Sequence, residues 1–161
     1  TTAIQANVLV GRKTARDGGR TPKAIAAQIA KTEAELARHD SAAAKSMLKR
    51  LTAARIAFEQ VVDFVAGNTK ASPNAVFAGS VPYLMLAGNV VAGWQMARAL
   101  VIAEDQLAKL ATSGEGDAAF LKAKVATAHF YAEHLLNKAP GVRDSIVEGG
   151  DCVAALAIDS F

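Results

Sequence analysis

The sequence predicts an all-α fold, a helical bundle of about five or six helices. Three observations lead there. Alanine, the strongest helix former, fills about 36 of the 161 positions. Proline occurs only 4 times and aromatics make up 6% of the chain, which leaves little of the β-branched and aromatic patterning a sheet needs. Apolar residues recur at three- and four-residue steps from Leu51 through Ala54, Phe58, Val61 and Val62 to Val65, the spacing of one helix face. With 52% hydrophobic and 20% charged residues the chain has the apolar surface to fold, and 161 residues is the size of one compact unit.

The elements follow in order. Gln5 to Arg16 reads as a short helix ending at Asp17-Gly18-Gly19-Arg20, where paired glycines supply conformations that stop helices. Thr21-Pro22 restarts the chain as N-cap and first helical residue, with Ile25, Ile29 and Leu36 on one stripe as far as His39-Asp40. Ser41 opens the next helix, which Gly67-Asn68 closes. After a loop or helix start at Ala71 to Asn74, a segment from about Ala75 to Leu110 is apolar on nearly every side, so it must be surrounded. Pro82 should kink it or mark a break near its beginning. Thr112 to Asp117 is a polar loop with Asp117 as N-cap of a helix reaching about Lys138. Ala139-Pro140-Gly141 ends that helix. A last one resumes from Val142 to Phe161, with Ile146, Val153, Leu156 and Ala157 on one face and Gly149-Gly150 as its weak point.

Charge divides unevenly. Residues 1–80 carry 12 Lys/Arg against 6 Asp/Glu and residues 81–161 carry 6 against 9, so halves of +6 and −3 sum to the net +3. So small a net charge does not point to nucleic acid. The single cysteine, Cys152, makes no internal disulfide and fits a reducing compartment. Thr1 to Val10 lacks the basic start and apolar core of a secretory leader, and the apolar stretch Val81 to Val91, broken by Pro82, Gly88 and Asn89, is too short to span a bilayer. The expectation is a soluble cytoplasmic protein with no membrane span. The chain starts at Thr1 without Met and already in patterned sequence, which reads as a piece of a longer polypeptide.

Four groups of residues invite chemistry. His129 and Glu133 share a helix face, but three residues separate His129 from the Glu133-His134 pair where the inverted zinc motif has two, so no metal site is expected. Asp151 beside Cys152 would raise the thiol pKa, which makes Cys152 a core cysteine rather than a nucleophile. Arg12, Lys13, Arg16, Arg20 and Lys23 crowd the Gly18-Gly19 bend, where a helix starting at Thr21 could hold an anion; a solvated basic face is the plainer alternative. Trp94 and Met96 read as core filling. No nucleophile with an adjacent base and no phosphate-binding glycine loop is found, so the motifs supply no catalytic residue.

The two ends of the chain carry a resemblance. Thr1-Thr2-Ala3-Ile4-Gln5-Ala6 followed by Val8-Leu9-Val10-Gly11-Arg12-Lys13 resembles the stretch of acyl-CoA dehydrogenases directly after their catalytic Glu-Gly pair, in the bacterial subfamily with an added C-terminal helical domain. Phe130 to Leu136, Gly149-Gly150-Asp151 and Ala154 to Phe161 are similar to the closing helices of that extension. The resemblance implies the C-terminal portion of an FAD enzyme that introduces an α,β double bond into an acyl-CoA thioester. Residues 1–16 would be the tail of the parent's helical domain and residues 17–161 the added bundle. The family's glutamate base would lie two residues before Thr1, so the isolated chain is expected to be inactive. Thr1, Thr2 and Ala3 align with the segment that contacts FAD, Ala3 through its backbone because it replaces a residue that is often polar there; Gln5 is a weaker candidate. The implied partners are the parent's N-terminal domains, acyl-CoA, electron-transferring flavoprotein and further copies of the chain. FAD is not expected to stay with the isolated chain.

Two rival readings stand beside this one. The first is a free-standing helical interaction module whose basic half meets an acidic partner, and the second is a small-ligand carrier built around Trp94.

Overall fold

The computed structural model describes residues 1–113, 116–156 and 158–160. Among them there are helices and turns and no strand, and the predicted all-α bundle is what forms. Helix α1 (Thr2–Val8) widens into a π turn (Leu9–Thr14) and tightens into a 3₁₀ turn (Ala15–Asp17); together these make an N-terminal arm. Then come α2 (Arg20–Leu36), α3 (Ala42–Asn68), α4 (Pro73–Ala78), α5 (Ser80–Ser113), α6 (Ala118–His134) and α7 (Ala139–Val147), with a 3₁₀ turn at Leu136–Lys138 and two more near the C-terminus.

The turn between arm and bundle shows why these residues fold this way. Gly18 and Gly19 have φ of 66° and 81°, left-handed values that an L side chain resists. A Cβ on Gly19 would also sit 2.8 Å from Val62 Cγ1, so the bend packs directly on α3. Helix α2 therefore starts at Arg20 with Gly19 as its N-cap, ahead of the Thr21-Pro22 start read from the sequence. Pro22 falls in the first turn, where a missing N–H costs nothing. Ser41 caps α3 as expected, its Oγ accepting from Ala44 N at 2.9 Å, and Asp117 does the same for α6 through Phe120 N at 2.9 Å.

Helix α3 is the hub. Leu51, Ala54, Phe58, Val61, Val62 and Val65 are all buried, and α3 packs against α2, α5, α6 and α7. Helix α5 lies across α1, α2, α3, α6 and α7. By length and composition alone Ser80–Thr112 is apolar enough to cross a membrane, a longer apolar run than Val81 to Val91; it packs on those five helices but is not surrounded as expected, since Val81, Met85, Val91 and Ile102 are exposed. Pro82 marks a break rather than a kink, with α4 and α5 parting at Gly79. Two glycines allow close crossings: a Cβ on Gly79 would meet Ile146 Cγ2 at 2.8 Å, and one on Gly93 would meet Leu136 Cδ2 at 2.6 Å.

The C-terminal reading needs correction. Ala139-Pro140-Gly141 opens α7 instead of closing α6, because Pro140 suits a first helical turn, and α7 ends at Val147 before Gly149-Gly150. Beyond it Val153 and Leu156 are 71% and 66% exposed, so the expected apolar face holds only at Ile146; Ala157 lies outside the described residues. Cys152 is exposed rather than in the core.

Candidate functional site

The arm is anchored by a single line of side chains. Ala6, Val10 and Thr14 follow at four-residue steps and are all fully buried. In a regular α-helix each such step drifts by about 40° around the axis; the wider turn at Leu9–Thr14 offsets that drift and keeps the three facing inward. At the end of the line Thr14 Oγ1 and Tyr83 Oη share a hydrogen bond of 2.9 Å with both residues fully buried. This bond ties the arm to the start of α5. At the other end of the same stretch Trp94 Nε1 donates to Thr32 Oγ1 at 2.8 Å, so α2 runs alongside α5 in the same direction. Arg98 lies over the indole at 5.7 Å, which leaves Trp94 a packing residue as the sequence suggests.

Thr1, Thr2 and Ala3 stand at the free end of the arm, all exposed. Thr1 is the N-cap of α1 without a side-chain cap bond, and the first backbone bond of the helix is Gln5 N to Thr1 O at 3.0 Å. The N–H groups of Thr2, Ala3 and Ile4 thus have no intrahelical partner, and two hydroxyls stand beside them. This donor set suits carbonyl or phosphate oxygens. Gln5 is exposed as well.

At the basic bend the structure brings in a carboxylate. Asp17 accepts from Gly19 N at 3.1 Å, Thr21 N at 3.0 Å and Thr21 Oγ1 at 2.6 Å. The Thr21 hydroxyl, with help from the two amides and Arg20, holds the Asp17 carboxyl below its usual range. The start of α2 therefore already carries an internal anion as its own cap. Lys23 pairs with Asp63 at 2.5 Å, and Arg20 Nε donates to Asp17 O at 3.2 Å. Arg12, Lys13 and Arg16 make no ion pair among the described residues.

Glu133 is committed to a partner too. Arg50 reaches it through Nη2 at 2.8 Å and Nε at 3.2 Å, and Ser46 Oγ donates to it at 2.5 Å, joining α3 to α6. His134 stacks on Phe130 with centroids 4.5 Å apart, away from any shared ligand position with Glu133. The hydrogen bonds from Arg50 and Ser46 lower the Glu133 carboxyl from 4.5 to about 2. A depressed acid stabilises the fold above its unfolded value, and that contribution fades as pH falls from 4.5 through about 2. Glu133→Gln is accordingly expected to lower the Tm at pH 7, where that contribution is full, and to flatten the fall in Tm across the acid window, as measured by circular dichroism melts at stepped pH.

One cavity stands out by its chemistry. A groove of about 580 Å³ opens between the arm and α2, with Leu9 and Ile25 as walls and Phe58, Leu84, Gly88 and Val91 as floor. The only non-apolar side chains lining it are Lys13 and Thr21, both beside the bend, so its polar end is defined. Sequence reading missed it because its walls come from four separate segments. The signal that could have found it is Gly88, a glycine in the interior of a long apolar helix.

The fold is an all-α bundle packed around α3 and α5, with an N-terminal arm tied in at Tyr83. The chain belongs to the family described as acetyl-CoA dehydrogenase C-terminal like, which matches residues 25–157. The 3-methylmercaptopropionyl-CoA dehydrogenase of Ruegeria pomeroyi is 44% identical over 158 residues, 98% of this chain. The chain spans 26% of the length of that relative.

Proposed function

We propose that this chain is the C-terminal part of an FAD-dependent acyl-CoA dehydrogenase, with residues 1–16 completing the helical domain of the catalytic portion and residues 17–161 forming an added bundle. The observation that carries this reading is the 44% identity, sustained over 98% of the chain, to an enzyme named for that chemistry. The substrate is an acyl-CoA thioester, the relative's name pointing to a short thioether-bearing acyl group. FAD, when bound, supplies the acceptor for the β-hydrogen as hydride. The glutamate that takes the α-proton belongs to the portion of the enzyme before Thr1.

The chain's own part is positional. Thr1 and Thr2 hydroxyls and the free amides of the first turn, Ala3 included, donate to flavin oxygens. The buried line from Ala6 through Thr14 to Tyr83 fixes where that edge stands. The working enzyme is cytoplasmic, associates with further copies of itself and passes electrons to an electron-transferring flavoprotein.

The test compares two proteins. The longer gene product, purified with its flavin, should reduce an electron-acceptor dye when given acyl-CoA, whereas the 161-residue chain should show neither turnover nor flavin absorbance. Loss of both hydroxyls, Thr1→Ala with Thr2→Ala, should weaken flavin retention in the longer enzyme by roughly tenfold, the scale of one or two net hydrogen bonds. Turnover by the isolated chain would exclude the reading.

A further inference from the structure

Gly88 lies well inside α5, where glycine is disfavoured relative to alanine, yet a Cβ built on it meets nothing within 4 Å. The other interior glycine of α5 has an internal reason: Gly93 receives Leu136. Nothing inside this chain requires the bare backbone at residue 88, which is exposed and floors the apolar groove between the arm and α2. Around the groove the apolar surface continues onto Met85, Val81 and Val91, which are 57%, 38% and 37% exposed. Val81, Met85, Gly88 and Ala92 follow at steps of four, three and four, one face of α5. Ile4 of the arm, 65% exposed, adds to the apolar surface outside the core. At the polar end stands Lys13, a cation without an ion pair among the described residues.

We propose that this groove is the seat of an amphipathic helix from the catalytic portion of the dehydrogenase, its backbone passing close over Gly88 and an acidic residue of it meeting Lys13. A bare glycine in an apolar trough favours a helix as occupant, since close backbone approach is what a missing side chain permits. The unpaired Lys13 at one end sets the sign of the charge the helix carries there. Continuity favours the same enzyme as its source: the groove wall is the arm, and the arm is where the catalytic portion joins the bundle. This assignment rests on the dehydrogenase reading given above.

Met85 at the groove edge is a built-in reporter, with fully buried Met47 as internal control. Oxidation of Met85 by dilute hydrogen peroxide, followed by peptide mass spectrometry, is expected to be at least tenfold slower in the longer enzyme than in the 161-residue chain. Gly88→Trp adds bulk at the groove floor, where a Cβ meets nothing within 4 Å, so the isolated variant should keep the wild-type helical signal and Tm, while in the longer enzyme Met85 should oxidise as fast as in the isolated chain. Gly88→Ala, which gains helix propensity and adds one methyl, should leave the protection mostly in place. Equal Met85 oxidation in both wild-type proteins would overturn the proposal. So would protection of Met85 in the isolated chain at high concentration together with a dimer in sedimentation, which would make a second copy the occupant. Protection of the isolated chain by dodecanoate would likewise overturn it in favour of a lipid anion. Acyl-CoA-dependent dye reduction by the same wild-type sample reports on the dehydrogenase reading independently of the groove.

Discussion

Tyr83→Ala is expected to destabilise the bundle by about 4 kcal/mol, the scale for emptying a large aromatic site. Tyr83 is the largest of the fully buried side chains; its ring lies 6.2 Å from that of Phe58 and its hydroxyl holds Thr14. Truncation opens a cavity where arm, α3 and α5 meet and removes the partner of a buried hydroxyl. Tyr83→Phe separates the two effects: packing stays, Thr14 Oγ1 loses its cross-chain bond, and the expected cost is about 1–2 kcal/mol. Urea titration followed by circular dichroism gives both values. Burial raises the Tyr83 phenol above its usual 10, against the opposing effect of its bond to Thr14. A group raised in the folded state stabilises below its unfolded value, so stability should fall as pH rises beyond 10, and less steeply in Tyr83→Phe. An unchanged Tm in Tyr83→Ala would mean that the arm is not anchored there.

The second large effect concerns a charge. Arg55 Nε and Nη2 hold Glu33 at 2.7 and 3.1 Å, and Nη1 reaches Glu59 at 2.8 Å. The bond to Glu33 raises the guanidinium pKa above its ordinary value against the opposing effect of burial. Glu33 is only 9% exposed, so Arg55→Ala strands a carboxylate in the interface of α2 with α3, at an expected cost of about 3 kcal/mol. Removing both charges with well-packed replacements, Arg55→Met with Glu33→Leu, should restore most of that loss, because most of it is the unpaired charge and not the pair. A double-mutant cycle on unfolding free energies measures the coupling. Additive single effects would show that the pair carries no weight.

Much of the fold could be read from local pattern. Helix α3 was visible because its apolar positions keep one period over about four turns, and Ser41 and Asp117 announced their helices because cap chemistry is local. The start of α2 was misplaced by one or two residues because it depends on two glycines in left-handed geometry packed on Val62, a contact that lies far along the chain. Past Val147 the apolar pattern continues, but the Gly149-Gly150 pair releases the helix, so Val153 and Leu156 do not turn inward. The sites were less legible. Thr1, Thr2 and Ala3 are singled out by resemblance alone, since two threonines at a helix start look like any N-terminus. Asp17 looked like part of a bend and turned out to cap it. The groove joins residues 9 to 91 and has no local signature beyond one unexplained glycine.

Arg50 and Arg55 both leave α3, five residues apart and so about 140° around its axis, and they hold carboxylates on opposite neighbours, Glu133 of α6 and Glu33 of α2. Helices of this kind could also assemble with α2 and α6 exchanged around α3, giving the mirror order with a comparable apolar interior. In that order each arginine would point at the wrong neighbour. The two pairs therefore discriminate between left- and right-turning arrangements of one set of helices, a choice that greasy contact alone leaves nearly undecided.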